Sequence, residues 1–135
     1  ADIVASQGIS IAEIFDTRGE EEFRRLETEA LLHRVREVQA GNPLVLALGG
    51  GAFVQPLNYR IVEDNGITVW LDCPLPLIRR RLAGSSDRPL ARDPRKFEIL
   101  YYARRESYAL ADYRVPIQGD DPEIAVQAIL DLPVF

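Results

Sequence analysis

Methionine is absent from this 135-residue sequence, and cysteine, histidine and lysine each occur once. Cys73 therefore has no partner for an internal disulfide bond. Structural zinc sites are built mainly from cysteine and histidine, and His33 is the single histidine. The chain therefore cannot assemble a structural zinc site. We expect no protein-bound metal from these residues.

Long apolar runs are also lacking. No segment has the length that a membrane-spanning helix needs, and the first residues have neither the basic nor the apolar part of a signal peptide. The sequence therefore predicts a cytoplasmic protein without a membrane partner. Because the chain begins at Ala1 and contains no methionine, we expect further residues upstream.

The charge is acidic in total but unusual in its basic part. A formal net charge of −5 and a pI near 4.9 argue against a nucleic-acid partner, which requires a basic face. Every basic side chain except Lys96 is an arginine. Because the guanidinium group binds carboxylates and phosphates through paired hydrogen bonds, small anions are the favoured ligands.

Apolar periodicity predicts helices that alternate with strands. Ser10 followed by Glu13 is the pattern of a capping box at a helix start. We predict helices over 19–38, 58–64, 76–82, 97–110 and 122–130, and strands over 44–48, 68–71 and 113–117, the first two strands being buried on both faces. This alternation predicts an α/β fold, a parallel sheet with flanking helices, in one domain.

Three consecutive glycines, Gly49, Gly50 and Gly51, follow the first predicted strand. Ligands of open α/β sheets bind beyond the carboxyl ends of the strands, and glycine lets a ligand approach the backbone closely. A flexible turn is the alternative explanation. A dinucleotide-binding G-x-G-x-x-G motif is excluded, since Val54 stands where its last glycine is required.

The arginines, taken one at a time, have ordinary explanations. Arg24 can form an ion pair with Glu20 one turn away, and Arg104 and Arg105 are typical of a solvated helical face. Arg81 and Arg88 flank a loop rich in small residues that could act as a lid.

Six segments in order change this interpretation: "GISIAEIF", "GEEEFRRLE", "LALGGGA", "VWLD", "RPL" and "RRESYALAD". Together they resemble the shikimate kinases, which are P-loop small-molecule kinases of the nucleoside monophosphate kinase type. The resemblance implies a monomeric, ATP-dependent kinase that phosphorylates the shikimate 3-hydroxyl in aromatic amino-acid (chorismate) biosynthesis. It also implies a single domain over 1–135, with a substrate-binding region at 8–60, a lid at about 83–96 and a nucleotide-side region at 97–135.

The resemblance gives roles to particular residues. Arg24 and Arg104 correspond to the two arginines that bind the shikimate carboxylate. Gly49, Gly50 and Gly51 correspond to the glycine corner under the shikimate hydroxyls. The remaining correspondences are Phe15 and Phe23 as apolar walls, Arg88 as the catalytic lid arginine that also contacts ATP, Arg81 as the arginine stacked on adenine, and Asp120, Asp121 and Pro122 as the other side of the adenine slot.

The chain departs from the family at its phosphate site. It has no G-x-x-x-x-G-K-[ST] motif, Lys96 stands in a different context, and the family's D-x-D motif is missing. We therefore expect a P-loop kinase fold truncated at its N-terminus, with the ATP phosphate and Mg²⁺ ligands upstream of Ala1 and no activity of these 135 residues alone. Two alternatives stay open: a non-catalytic relative that binds a ligand or partner, and a kinase for another polyol acid such as gluconate.

Overall fold

The computed structural model describes residues 1–83 and 93–135, which form six helices and two strands. The helices are α1 (Asp2–Gln7), α2 (Ile11–Gln39), α3 (Pro56–Asn65), α4 (Leu75–Leu82), α5 (Pro94–Tyr108) and α6 (Pro122–Leu130), and the strands are β1 (Val69–Asp72) and β2 (Tyr113–Pro116). Within these described residues, no helix combines the length and apolar character that crossing a membrane requires.

Local capping explains most helix boundaries. The Ser10 hydroxyl accepts a hydrogen bond from the Glu13 amide at 3.1 Å, as the capping pattern predicts. The long helix α2 is broken at Gly19, whose φ of 85° and ψ of 169° are not helical. It ends before Gly41, where φ is 95°. The short helix α1, which periodicity did not predict, precedes it.

The two strands form a parallel sheet. β1 pairs with β2 in a register that places Val69 opposite Tyr113 and Asp72 opposite Pro116. Helices α4 and α5 lie between these strands in the chain, as a parallel connection requires. The predicted fold class, α/β with a parallel sheet and flanking helices, is confirmed.

The predicted strand over 44–48 is not observed. This segment has no strand assignment, and the Val45 side chain is fully exposed at 102%. An extended segment becomes a strand only when a neighbour pairs with its backbone, and among the described residues the two paired strands are β1 and β2. The prediction that the second strand is buried on both faces was also wrong, since Leu71 is 48% exposed.

A hydrophobic cluster lies in the amino-terminal part of the chain. Ile14, Phe23 and Leu26 of α2 form a buried cluster, and α2 also packs against α1 and α3. The partly buried residues against this cluster are Ile3, Ile9, Ile11 and Phe15. Because Phe23 and Leu26 are buried, the intervening part of α2 is held in a fixed orientation.

A buried carboxylate fastens α5 to the sheet. Asp72 at the end of β1 is 6% exposed and accepts hydrogen bonds from Arg105 at 2.6 Å and from Arg114 at 2.7 Å. The Arg105 guanidinium also stacks on Trp70, 4.9 Å from the ring centroid. This anchoring fixes the rotation of α5, and with it the direction of Arg104.

Candidate functional site

The three glycines form a turn, here called the glycine turn (49–51), against which side chains from α2 and α5 pack. The Ala52 amide donates to the Gly49 carbonyl at 3.0 Å, which closes the turn. A Cβ on Gly50 would lie 3.1 Å from Arg104 Nη1, and a Cβ on Gly51 would lie 2.5 Å from the Arg24 guanidinium carbon. A side chain at position 51 would therefore displace the Arg24 guanidinium, and one at position 50 would crowd Arg104.

Arg24 reaches the glycine turn from the middle of α2, shortly after the break at Gly19. Its Nη1 donates to Glu27 Oε1 at 2.7 Å, and its Nη2 lies 3.4 Å from Glu20 Oε1. The side chain is 15% exposed, and its Nε is buried with no hydrogen-bond partner among the described residues. The buried Glu27 carboxylate thus orients a guanidinium whose hydrogen-bonding capacity is not filled.

Arg104 reaches the same turn from α5. Among the described residues no carboxylate forms an ion pair with it. Burial, followed by the positive charge of Arg24, lowers its pKa, although the neighbouring Tyr108 acts in the opposite direction. Two guanidinium groups therefore converge on one glycine turn, and their mutual repulsion favours an anion between them.

Tyr108 lies one helical turn after Arg104. Its hydroxyl donates a hydrogen bond to the Gly50 carbonyl. Burial raises the pKa of Tyr108, while the charges of Arg104 and Arg24 oppose this effect. The hydroxyl accordingly stays protonated and remains a donor at neutral pH.

The two predicted wall residues are in contact with each other. The Phe15 and Phe23 ring centroids lie 4.8 Å apart, with the rings tilted by 46°. Phe23 is buried, and the Arg24 guanidinium lies 5.1 Å from its ring centroid. Phe15 is half-buried, so it is the ring that remains open to a ligand.

Two of the predicted nucleotide-side residues, Arg81 and Asp120, contact each other. Arg81 Nε donates to Asp120 Oδ1 at 3.1 Å, and Arg80, which the sequence did not single out, lies 3.2 Å from the other Asp120 oxygen. Asp121 accepts from the Glu123 amide at 3.0 Å as the cap of α6, and Pro122 is the first residue of that helix.

The predicted lid falls largely outside the described residues. Residues 84–92, which include Arg88, are not among the described residues. The last part of the lid was predicted to be a loop as far as residue 96. It is instead helical, since α5 begins at Pro94 and Asp93 accepts a hydrogen bond from the Arg95 amide at 3.0 Å. Proline at the first helical position and aspartate before it explain this early start.

Two residues that build the site were missed by sequence reasoning. Glu27 was detectable as a carboxylate three residues after Arg24. Asn58 is fully buried, donates to the Ala52 carbonyl at 3.0 Å and accepts from the Thr28 hydroxyl at 2.8 Å. It ties the end of the glycine turn to α2, and no local signal identifies it.

Among residues 1–83 and 93–135, no group of three or more histidine, cysteine or acidic side chains could hold a metal ion. The described residues therefore offer no metal site built from protein ligands alone. Arg81 with Asp120 and Pro122 could flank a planar base, because the Arg81 side chain is 48% exposed and held in place by Asp120.

The sequence profile described as shikimate kinase matches residues 1–132. The shikimate kinase of Synechococcus elongatus is 40% identical over 129 residues, which cover 93% of this chain and 65% of that protein. The shikimate kinase of Geobacter sulfurreducens is 39% identical over 130 residues, covering 94% of this chain and 70% of that protein. The chain thus spans just under two thirds of the length of the Synechococcus relative.

A solved structure is also closely similar. The shikimate kinase of Acinetobacter baumannii in complex with shikimate superposes with a TM-score of 0.90 at 31% identity, covering 98% of this chain and 74% of that chain. Sequence and fold agree over nearly all of the 135 residues. The chain therefore belongs to the shikimate kinase family.

Proposed function

We propose that the protein binds shikimate at the glycine turn and, as a shikimate kinase, transfers a phosphoryl group from ATP to the shikimate 3-hydroxyl. One observation carries the binding part. Arg24 and Arg104 converge on Gly50 and Gly51 from two different helices, and among the described residues Arg104 has no carboxylate partner.

The carboxylate of shikimate fits this arrangement. A carboxylate between two guanidinium groups relieves their repulsion and accepts charge-assisted hydrogen bonds, each contributing about 1.5–3 kcal/mol. Burial strengthens these bonds, because less water competes for the donors. Arg24 is held by Glu27 before the ligand arrives, so little orientational freedom is lost on binding.

The glycine turn and Phe15 complete the proposed substrate site. Without side chains at 49–51, the shikimate ring can lie directly against the backbone, where amides and carbonyls meet its hydroxyls. Phe15 offers an apolar face beside them, backed by the buried Phe23. A compact ring with one carboxylate and adjacent hydroxyls matches this combination of charge, backbone and apolar wall.

ATP would supply the phosphoryl group, and the described residues offer only part of its site. We place the adenine beside Arg81, Asp120, Asp121 and Pro122, and assign Arg88 to the phosphate end. The 135 residues contain no P-loop motif, and the described residues contain no metal cluster.

A non-catalytic binding role and a different polyol acid substrate are not favoured, because both relatives and the solved structure described above are named shikimate kinases. The monomeric state and the cytoplasmic location stay predictions from the sequence.

Calorimetric titration of the 135-residue protein tests the binding part. We expect shikimate to bind and its methyl ester, which lacks the charge, to bind much more weakly. Arg24→Ala and Arg104→Ala should each raise the Kd for shikimate at least tenfold, on the order of one lost charged hydrogen bond. Arg25→Ala is the matched control, since Arg25 pairs with Glu22 and Glu29 on the exposed side of the same helix. Equal affinity for acid and ester would contradict the proposal.

A further inference from the structure

Tyr108 connects the sheet to the glycine turn. Its ring packs against Trp70 of β1 with centroids 6.0 Å apart and a tilt of 47°. Its hydroxyl, at the other end, donates to the Gly50 carbonyl, across 58 positions of sequence. One side chain thus spans the distance from β1 to the backbone on which Arg24 and Arg104 converge.

The glycine turn has few other supports on its amino-terminal side. Residues 44–48, which lead into it, have no strand partner among the described residues, and most of them are exposed. On the far side, Asn58 holds the Ala52 carbonyl. At Gly50 itself, the Tyr108 hydroxyl is the side-chain donor that fixes the peptide group.

The same hydroxyl lies beside Arg104. A Cβ on Gly50 would be 3.3 Å from the Tyr108 hydroxyl and 3.1 Å from Arg104 Nη1, so both groups face one point of the backbone. Arg104 and Tyr108 are four residues apart on α5 and therefore lie on the same helical face. A rotation of the Gly50 peptide would change the distance between the turn and Arg104.

We propose that Tyr108 is a positioning residue for shikimate binding: its hydroxyl fixes the Gly50 carbonyl, so that the glycine turn and Arg104 keep the spacing that the carboxylate and ring of the ligand require. This inference rests on the proposed function. It assigns Tyr108 no contact with the reacting atoms.

Tyr108→Phe tests the proposal, because it removes the hydroxyl and keeps the ring on Trp70. We expect the Kd for shikimate to rise roughly five- to tenfold, the effect of one hydrogen bond. Tyr101→Phe is the matched control on the same helix. The Tyr101 hydroxyl also donates to a backbone carbonyl, that of Cys73 at 2.8 Å, and it contacts Arg105 instead of the glycine turn.

Two further readouts separate positioning from general stability. In Tyr108→Phe, the amide hydrogens of 50–52 should exchange faster, whereas in Tyr101→Phe their rates should match the unmodified protein. Urea unfolding should show a similar, modest loss of stability in both variants. Only Tyr108→Phe should lose affinity for shikimate.

Unchanged shikimate affinity in Tyr108→Phe, with the Kd still raised at least tenfold by Arg104→Ala, would overturn the positioning role and leave the proposed function intact. An equal loss of affinity in Tyr101→Phe would also overturn it, since the effect would then come from stability. Failure of the unmodified protein to bind shikimate would count against the proposed function itself. If Tyr108→Phe does not fold, exchange in the unmodified protein decides the question. A Gly51 amide, which belongs to the peptide group held by Tyr108, that exchanges more slowly than the amides of the exposed 45–47 segment supports the role, and one that exchanges as fast as they do contradicts it.

Discussion

The Arg24 guanidinium occupies the space that a Cβ on Gly51 would enter, with its carbon 2.5 Å from that position. Gly51 does not have a positive φ, so its backbone conformation is open to other residues. The requirement for glycine is therefore one of space, and it arises because Glu27 holds Arg24 against the turn. Sequence reasoning predicted that a ligand approaches the glycine backbone closely, which stays a prediction, and the structure places the Arg24 side chain against Gly51.

Gly51→Ala should consequently displace the Arg24 guanidinium from Glu27. We expect the Kd for shikimate to rise about tenfold, the equivalent of one charged hydrogen bond, with little change in secondary structure. Gly66→Ala is the control, because Gly66 is extended and no atom lies within 4 Å of its added Cβ. Calorimetry on both variants measures the effect, and equal affinities would contradict the spatial argument.

Asn58→Ala should destabilise the protein by about 2–3 kcal/mol, because the Ala52 carbonyl and the Thr28 hydroxyl lose a fully buried partner. Asn42→Ala provides the comparison, since Asn42 is exposed in the loop after α2. Urea unfolding of the two variants gives the free energies. A loss no greater than that of the Asn42 variant would remove Asn58 from the supports of the glycine turn.

Asp72 should make stability depend on acid pH. The hydrogen bond from Arg105, followed by that from Arg114, holds its pKa below the ordinary value of 3.8. The stabilisation of the fold by the Asp72 carboxylate is therefore complete above about pH 3.8, the pKa of the unfolded state. It is lost as the pH falls through the lower pKa of the folded state. Asp72→Asn should lower the free energy of unfolding by about 2–3 kcal/mol at neutral pH, with a smaller difference in acid.

Unfolding curves of Asp72→Asn and of the exposed Asp64→Asn, recorded over this pH range, check the assignment. A difference between the unmodified protein and Asp72→Asn that stays constant into acid would show that charge at Asp72 is not the cause.

The 135 residues alone should transfer no phosphoryl group from ATP to shikimate. The phosphate charge has to be stabilised by a P-loop lysine, backbone amides and a metal ion, and this sequence has no P-loop motif. An assay of shikimate phosphate formation, with an active shikimate kinase as positive control, measures this. Turnover above the level without enzyme would contradict the expectation.

Sequence reasoning succeeded where the signal is local. The Ser10 cap and the α6 start at Pro122 depend on neighbouring residues, and both are observed where predicted. It failed for 44–48, because strand formation depends on a pairing partner that apolar character does not reveal. Arg105 was assigned to a solvated face, yet it pairs with Asp72, 33 residues away, and only the folded structure brings them together.

In the candidate site, too, some residues could be predicted from the sequence and others could not. The convergence of Arg24 and Arg104 on the glycine turn was expected from the family resemblance, and the structure brings these residues together. Glu27 and Asn58, which support the turn and the arginines, came from the three-dimensional structure alone. Glu27 lies three residues after Arg24, a spacing that the sequence does contain, whereas Asn58 lies 30 residues from its partner Thr28 and no local signal identifies it.

A crystal structure of this protein with shikimate tests the central claim most directly. We predict that the carboxylate lies within about 3 Å of guanidinium nitrogens of both Arg24 and Arg104, with the ring against Gly49–Gly51. A carboxylate bound by neither arginine, with the glycine turn free of ligand, would contradict the account.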